Sequence, residues 1–294
     1  MALGLVHRWD GRSATTSVVA EIPGSPAGLG WLPDGSMLVV SMDGRCIYRV
    51  AEDGSTTVHA DLAEYCAGKA NELLVTSKGH AYVGSFGFDY HGHVRRHSNA
   101  SLFTPPGPPA ARLIHISPSG EILDTSSPLL FPNGCVTVDS ESTLVVAETL
   151  GLRLTSFPLD ETGAFGPSQL YTPLVSKLLW VMLTGSGALG RTARALSTLF
   201  DSPRFARYQS SPIGPDGIAS GPGRQIWVAN ALRGECVLVD PNGPVRRRVK
   251  TSQSTLSCVT GGSDGRTLFA GTSPTSDPVA SAELRQGRIE RAYL

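Results

Sequence analysis

Three polar residues stand at equivalent positions in successive segments of the sequence: Asn71, Asn133 and Asp216 each begin a short apolar stretch. Amide and carboxylate oxygens that converge on one axis are suitable ligands for a hard cation such as Ca²⁺ or Mg²⁺. Asn and Asp also begin turns for local reasons, because they hydrogen-bond to their own backbone. The agreement of three positions favours a cation site, in which Asp216 would supply the only charge of the three.

A second group of polar residues lies in the stretch DYHGHVRRH, which contains Asp89, His91, His93 and His97. Alternating histidines can bind a transition metal, and one of them could act as a general base. A solvated loop is the simpler interpretation. If this loop overhangs the cation site, His91 or His93 would contact a substrate there. The one GxSxG match, GGSDG at residues 261–265, lies in the turn of a β-hairpin rather than at a strand-to-helix elbow, and the sequence has no HExxH helix and no phosphate-binding glycine loop. This disfavours the commoner hydrolase and nucleotide-binding classes.

A repeated β-hairpin must position these residues. Five segments share an apolar strand, a turn rich in Gly, Asp or Ser, and a second apolar strand that ends in a small residue. The second strands are MLVVS, AYVGS, LVVAE, IWVAN and LFAGT, and a third strand usually follows. Hairpins that recur about every 40 residues or more are typical of propeller blades. A β-sandwich is the alternative, but sandwiches do not repeat one hairpin in register.

Two intervals are longer than one blade requires. The stretch Phe86–Ala111 is rich in Gly and Pro and is predicted to be a loop insertion. The stretch Thr172–Pro212 has apolar residues spaced as in two short amphipathic helices. Both intervals follow a second strand or precede a first strand, so both are predicted to overhang the channel mouth. The helical insertion is predicted to be a lid, although a cover for an exposed sheet face is the alternative.

Composition limits the class of protein. The chain has 294 residues, no formal net charge and 17% charged residues, so nothing suggests a nucleic-acid partner. We expect one propeller domain over residues 1–294, with both insertions inside it. The five scattered cysteines are expected to be small apolar strand residues in a reducing compartment. No secretory signal or membrane span is predicted, so the expectation is a soluble cytoplasmic protein with a small-molecule substrate.

Two motifs resemble signatures of the regucalcin/gluconolactonase (senescence marker protein) family. They are PNG-V-VDSE-TLVVAET from Pro132 and PDGIA-----IWVAN from Pro215, and the stretch Lys69–Glu72 resembles the family's Arg-x-Asn-Asp. The resemblance implies a six-bladed propeller and, in many members, a lactone hydrolase with one divalent cation. Ca²⁺ is the expected cation, with Mg²⁺, Mn²⁺ and Zn²⁺ as alternatives. The resemblance further implies that Asn133 and Asp216 are metal ligands. It also implies that Asn71 contacts water or substrate and that Lys69 contacts substrate oxygens.

The sequence departs from this family in one respect. The family takes another metal ligand from a Glu in a Glu-Gly-Pro type motif of its first blade, and no such motif is present. The opening residues resemble the end of a first blade, so we expect that blade to lack two strands and the Glu. In an alternative register Ala27 replaces the Glu. Glu21 is a weak substitute; Glu72 or Glu148 could reach the axis, although local roles are expected for both.

Three functions remain open from the sequence. The first is a metal-dependent hydrolase of a lactone or related ester, in which Asp216 orients or deprotonates the attacking water. The second is an enzyme similar to strictosidine synthase, without metal-dependent hydrolysis, whose lid accepts a bulky substrate. The third is a propeller that binds a small molecule without turnover.

Overall fold

The computed structural model describes residues 4–11, 15–97, 99–103, 106–175 and 212–294. Within these residues the chain forms six antiparallel sheets, and each sheet uses strands that are consecutive in sequence. The two-stranded sheet contains β1 (Leu5–Trp9) and β2 (Thr16–Glu21). The three-stranded sheet contains β19 (Ser254–Gly261), β20 (Thr267–Ser273) and β21 (Arg288–Tyr293).

The other four sheets have four strands each. The first comprises β3 (Pro26–Trp31), β4 (Met37–Ser41), β5 (Cys46–Val50) and β6 (Thr56–Asp61). The second comprises β7 (Ala70–Val75), β8 (Ala81–Ser85), β9 (Ile114–Ile116) and β10 (Ile122–Thr125). The third comprises β11 (Pro132–Val138), β12 (Thr143–Glu148), β13 (Arg153–Pro158) and β14 (Gln169–Pro173). The fourth comprises β15 (Pro215–Ser220), β16 (Ile226–Asn230), β17 (Glu235–Val239) and β18 (Val245–Lys250).

The architecture is an all-β propeller, as the hairpin repeat predicts, and the five sheets with three or four strands are its blades. Neighbouring blades stack face to face, so their middle strands are apolar on both faces. Leu38 and Ile47 of one blade share a core with Val83 and Ile114 of the next, and all four side chains are fully buried. Burial on both faces explains why strands such as AYVGS and IWVAN are continuous apolar runs rather than alternating ones.

The two-stranded sheet lies between the first and the last blade. Val6 and Ile22 pack against Val39 of the β3–β6 blade. On the other side, the rings of Trp9 and Phe269 meet edge to face with their centroids 6.3 Å apart. Strands β1 and β2 therefore bridge the interval between the ends of the array.

The two insertions differ from what the sequence indicates. The stretch predicted as a loop at 86–111 contains a short helix, α1 (Tyr90–Arg96), and a 3₁₀ turn (Asn99–Leu102). The side chain of Asp89 begins α1 by accepting a hydrogen bond from the backbone nitrogen of Gly92 at 2.9 Å. The helices predicted within 172–212 fall on residues 176–211, which lie outside the described residues.

A second short helix, α2 (Pro278–Leu284), connects β20 to β21. Within the part of the chain described, no helix is long and apolar enough to cross a membrane. All five cysteines are buried and free of disulfides, in keeping with their predicted role as small apolar residues.

Candidate functional site

A β-bulge near the start of the inner strands positions the predicted axial residues. In β7, Ala70 pairs with Ser85 and Leu73 pairs with Val83, so two residues, Asn71 and Glu72, face one residue of β8. The same two-against-one arrangement occurs in three more inner strands, at Ala27–Gly28, Asn133–Gly134 and Asp216–Gly217. Bulges turn side chains out of the regular pleat and are frequent beside active sites. Asn71, Asn133 and Asp216 therefore occupy equivalent positions, as their spacing predicts.

The amide of Asn133 is oriented by a hydrogen bond between blades. Its Nδ2 lies 3.2 Å from Thr149 Oγ1, and the Thr149 hydroxyl donates to the carbonyl oxygen of Pro215 at 2.7 Å. Because the hydroxyl proton is used on Pro215, the Thr149 oxygen must accept from Asn133. Asn133 is 4% exposed, and its Oδ1 has no hydrogen-bond partner. This orphaned oxygen is available to a ligand.

Two carboxylates lie close together beside Asn133. Burial raises the pKa of Asp216 well above its usual range, and the charge of Glu72 raises it further, while a hydrogen bond from Asn133 opposes the shift. Burial also raises the pKa of Glu72 to about 7. Both residues lie deep within the protein and retain some accessible surface, as a site inside a narrow channel requires. No basic side chain within the described residues forms an ion pair with either carboxylate.

Glu72 therefore does not have the local role that the sequence suggested. Burial raises the pKa of Cys135 in β11 and of Asp216 in β15, and the charge of Glu72 raises each further, so its carboxyl lies near both inner strands. The available signal in the sequence was its position, because three other inner strands have glycine there. The adjacent Asn71 is 7% exposed, and its Nδ2 has no hydrogen-bond partner.

The other two glutamates behave differently. Glu148 is fully buried and serves locally, as expected: its carboxylate accepts hydrogen bonds from Arg153 Nε and the backbone nitrogen of Leu130, both at 2.7 Å. Glu21 is exposed at the end of β2 and has no contact with Asn133 or Asp216. Neither residue contributes to the channel.

Helix α1 covers the end of the channel at which these residues lie. Tyr90, its first residue, is close enough to Asp216 that the carboxylate, after burial, raises the pKa of its phenol. The Tyr90 ring packs against Phe131 with centroids 5.2 Å apart, and Phe131 stacks on Phe86 at 4.5 Å. The rings of Tyr90, Phe131 and Phe86 thus form an aromatic cluster on one side of the channel mouth.

Helix α1 also reaches α2, which belongs to the last blade. Arg95 Nη1 lies 3.8 Å from the Asp277 carboxylate, and Asp277 begins α2 by accepting a hydrogen bond from the backbone nitrogen of Ala280. The two ends of this ion pair come from blades far apart in the array. The insertion therefore spans the mouth rather than folding back on its own blade.

The remaining predicted residues lie around this cover. His91 is half-buried against Phe86, and its pKa is lowered first by burial and then by the charge of Lys69. His93 turns into its own insertion, where its Nε2 lies 2.7 Å from Ser101 Oγ. Lys69 Nζ pairs with the Asp43 carboxylate at 2.6 Å.

Lys69 and Asp43 line a cleft of about 240 Å³. Met42, Arg45, Ala67, Gly68 and Asp89 complete the lining, which does not include Asn133 or Asp216. The structure thus places Asn133 and Asp216 side by side, with Asn71 at the equivalent position of β7, and leaves Lys69 and the histidines at the periphery.

The residues in the channel fit a hard cation. In the described ranges, no three His, Cys, Asp or Glu side chains form a metal-binding group. Two carboxylates without a basic partner and one orphaned amide oxygen remain. Oxygen ligands of this kind suit Ca²⁺ or Mg²⁺.

Fold and site define the class: a β-propeller with an oxygen-rich polar centre at one end of its channel. Residues 1–174 match the family described as "SMP-30/Gluconolactonase/LRE-like region", and the chain belongs to this family. None of the curated proteins compared with the chain matches it in sequence.

Several solved structures share the fold. A calcium-binding regucalcin from Agrobacterium tumefaciens has 17% identity and a TM-score of 0.67, over 99% of this chain and 82% of that one. A luciferin-regenerating enzyme has 14% identity and a TM-score of 0.68, over 98% and 84%. A gluconolactonase from Xanthomonas campestris has 18% identity and a TM-score of 0.62, over 93% and 77%.

Proposed function

We propose that this protein is a divalent-cation-dependent hydrolase of a lactone or related cyclic ester, with its site at the covered mouth of the propeller channel. The observation that carries the proposal is the Asn133 amide, which donates a hydrogen bond to the Asp216 carboxylate and keeps its own Oδ1 unpaired. Family membership supports the reaction class. The likeness to a gluconolactonase is consistent with lactone hydrolysis, and the likeness to a calcium-binding regucalcin is consistent with the use of a divalent cation.

Asn133 and Asp216 would hold the cation, and Ca²⁺ fits their oxygen chemistry best. When bound, the cation would polarise the lactone carbonyl and acidify a water molecule. Asp216 would orient this water and accept its proton. Asn71 would hold the substrate or the water, because its buried amide has an unused donor.

Lys69, His91 and His93 are proposed as peripheral substrate contacts. Lys69 lies on the cleft and would exchange its partner Asp43 for substrate oxygens. His91 faces the aromatic cover, while His93 would have to leave Ser101 to reach a substrate. We further propose that β1 and β2 are the outer strands of a sixth blade, since they fill the interval between the first and last blades.

The test is hydrolysis of a panel of small and bulky lactones by chelator-treated protein, before and after addition of Ca²⁺, Mg²⁺, Mn²⁺ or Zn²⁺. Asp216→Asn keeps the size of the side chain and removes its charge, so turnover and cation affinity should both be lost. Asp53→Asn, in an exposed turn, is the matched control and should retain both.

Each outcome decides between the functions left open by the sequence. Activity that stops with chelator and returns with a cation supports the proposal. Activity indifferent to chelator would favour the alternative similar to strictosidine synthase. Cation binding without turnover of any lactone would favour a binding propeller, and full activity in Asp216→Asn would remove the metal-centred hypothesis.

A further inference from the structure

The second residue of each bulge faces the neighbouring inner strand. A Cβ atom at Gly134 would lie 2.5 Å from the backbone nitrogen of Ile218, and one at Gly217 would lie 2.7 Å from the Cα of Ser257. A Cβ atom at Gly28 would likewise overlap the backbone of Leu73. Contacts this short leave no space for a side chain, so glycine is required wherever the inner strands approach so closely.

Strand β7 breaks this rule, because it carries Glu72 at the equivalent position. The carboxylate consequently occupies space between β7 and β11 that glycine leaves closed elsewhere in the ring. Its charge, after burial, raises the pKa of Cys135 in β11 and that of Asp216 in β15. Strands β11 and β15 both lie on the same side of β7 in the ring. Since the equivalent glycines of the other bulged strands each face the next inner strand of the ring, Glu72 faces β11, the strand that carries Asn133.

A buried carboxylate beside a second carboxylate is unfavourable unless a positive charge compensates both. Among the described residues, the eight ion pairs include neither Glu72 nor Asp216. Asn133, 4% exposed, has an unpartnered amide oxygen and donates a hydrogen bond to Asp216. Two neighbouring carboxylates and one free amide oxygen therefore lack a cationic partner among the described side chains.

We propose that Glu72 is a direct ligand of the channel cation and supplies its second negative charge. The inference rests on the proposed cation site and assigns it one further ligand. The set then contains the Glu72 and Asp216 carboxylates and the Asn133 amide oxygen, with the remaining positions open to water and substrate. A second charged ligand raises the affinity expected for Ca²⁺ above that of a site with Asp216 alone.

The experiment is Ca²⁺ titration by calorimetry of chelator-stripped wild-type protein and of Glu72→Gln, Asp216→Asn and Glu64→Gln. Glu64 lies in an exposed turn, so its variant has the same change of net charge away from the channel. We expect Glu72→Gln to weaken Ca²⁺ binding by roughly tenfold to a hundredfold, and Glu64→Gln to leave it unchanged. Melting in EDTA should show that Glu72→Gln is at least as stable as the wild type.

The outcomes separate this inference from the proposed function. Wild-type affinity in Glu72→Gln together with lost affinity in Asp216→Asn would overturn the role of Glu72 and leave the proposed function standing. Absence of Ca²⁺ binding in the wild type would overturn both. If Glu72→Gln does not fold, Glu72→Asp decides instead. Its carboxylate is shorter by one methylene, so weaker binding at an unchanged melting temperature supports direct ligation and undiminished affinity overturns it.

Discussion

Glu72 is expected to make the metal-free protein less stable as the pH rises through neutrality. Burial raises the pKa of its carboxyl from 4.5 to about 7, so the folded protein holds this proton more tightly than the unfolded chain does. The stabilisation is therefore complete below the unfolded value of 4.5 and is lost as the pH rises through about 7. A shift of this size corresponds to about 3 kcal/mol of unfolding free energy.

Glu72→Gln removes the titrating group and keeps its shape. In urea unfolding with EDTA, the wild type should lose about 3 kcal/mol relative to Glu72→Gln between about pH 5 and about pH 8, because this difference isolates the contribution of Glu72. Asp216 remains in the variant with a raised pKa, so the pH dependence should shrink rather than disappear. Glu64→Gln should show the same pH dependence of unfolding free energy as the wild type. Equal pH dependence in the wild type and Glu72→Gln would refute the burial of an ionisable Glu72 in the channel.

Two further predictions concern residues outside the channel. His115 is 1% exposed and stacked on Tyr82, and its pKa is lowered to about 4, chiefly by burial. The contribution of His115 to stability should therefore fall by about 3 kcal/mol as the pH drops from 6.5 towards 4; in urea unfolding the wild type should lose this amount relative to His115→Phe, and a difference that does not change with pH would contradict the burial. Glu148→Gln should cost about 3 kcal/mol by weakening the buried pair with Arg153, yet leave Ca²⁺ affinity unchanged in calorimetry; altered affinity would contradict its local role.

The repeat and the axial residues could be read from the sequence because each depends on spacing alone. AYVGS and IWVAN coincide with β8 and β16 residue for residue, since strands buried on both faces are unbroken apolar runs. The outer strands β6, β10, β14 and β18 gave no such signal. They are more exposed, and polar residues interrupt them.

Glu72 and helix α1 could not be predicted in the same way. Whether the residue after Asn71 enters the channel depends on the bulge, and a bulge is a property of pairing with β8 that the local sequence does not reveal. Helix α1 has seven residues, too few for a hydrophobic period to be recognised, and its packing against Phe131 joins distant parts of the chain.

The repeated bulge has an evolutionary consequence. In four of the inner strands the bulge turns two consecutive residues out of the regular pleat, and each bulge belongs to a separate hairpin of the chain. A single codon change at the second of these residues, where the adjacent strand leaves room, adds a charged group from one hairpin and leaves the pairing of the others untouched. A protein built in this way can acquire a new ion preference by point substitution, one blade at a time, without insertion of a loop.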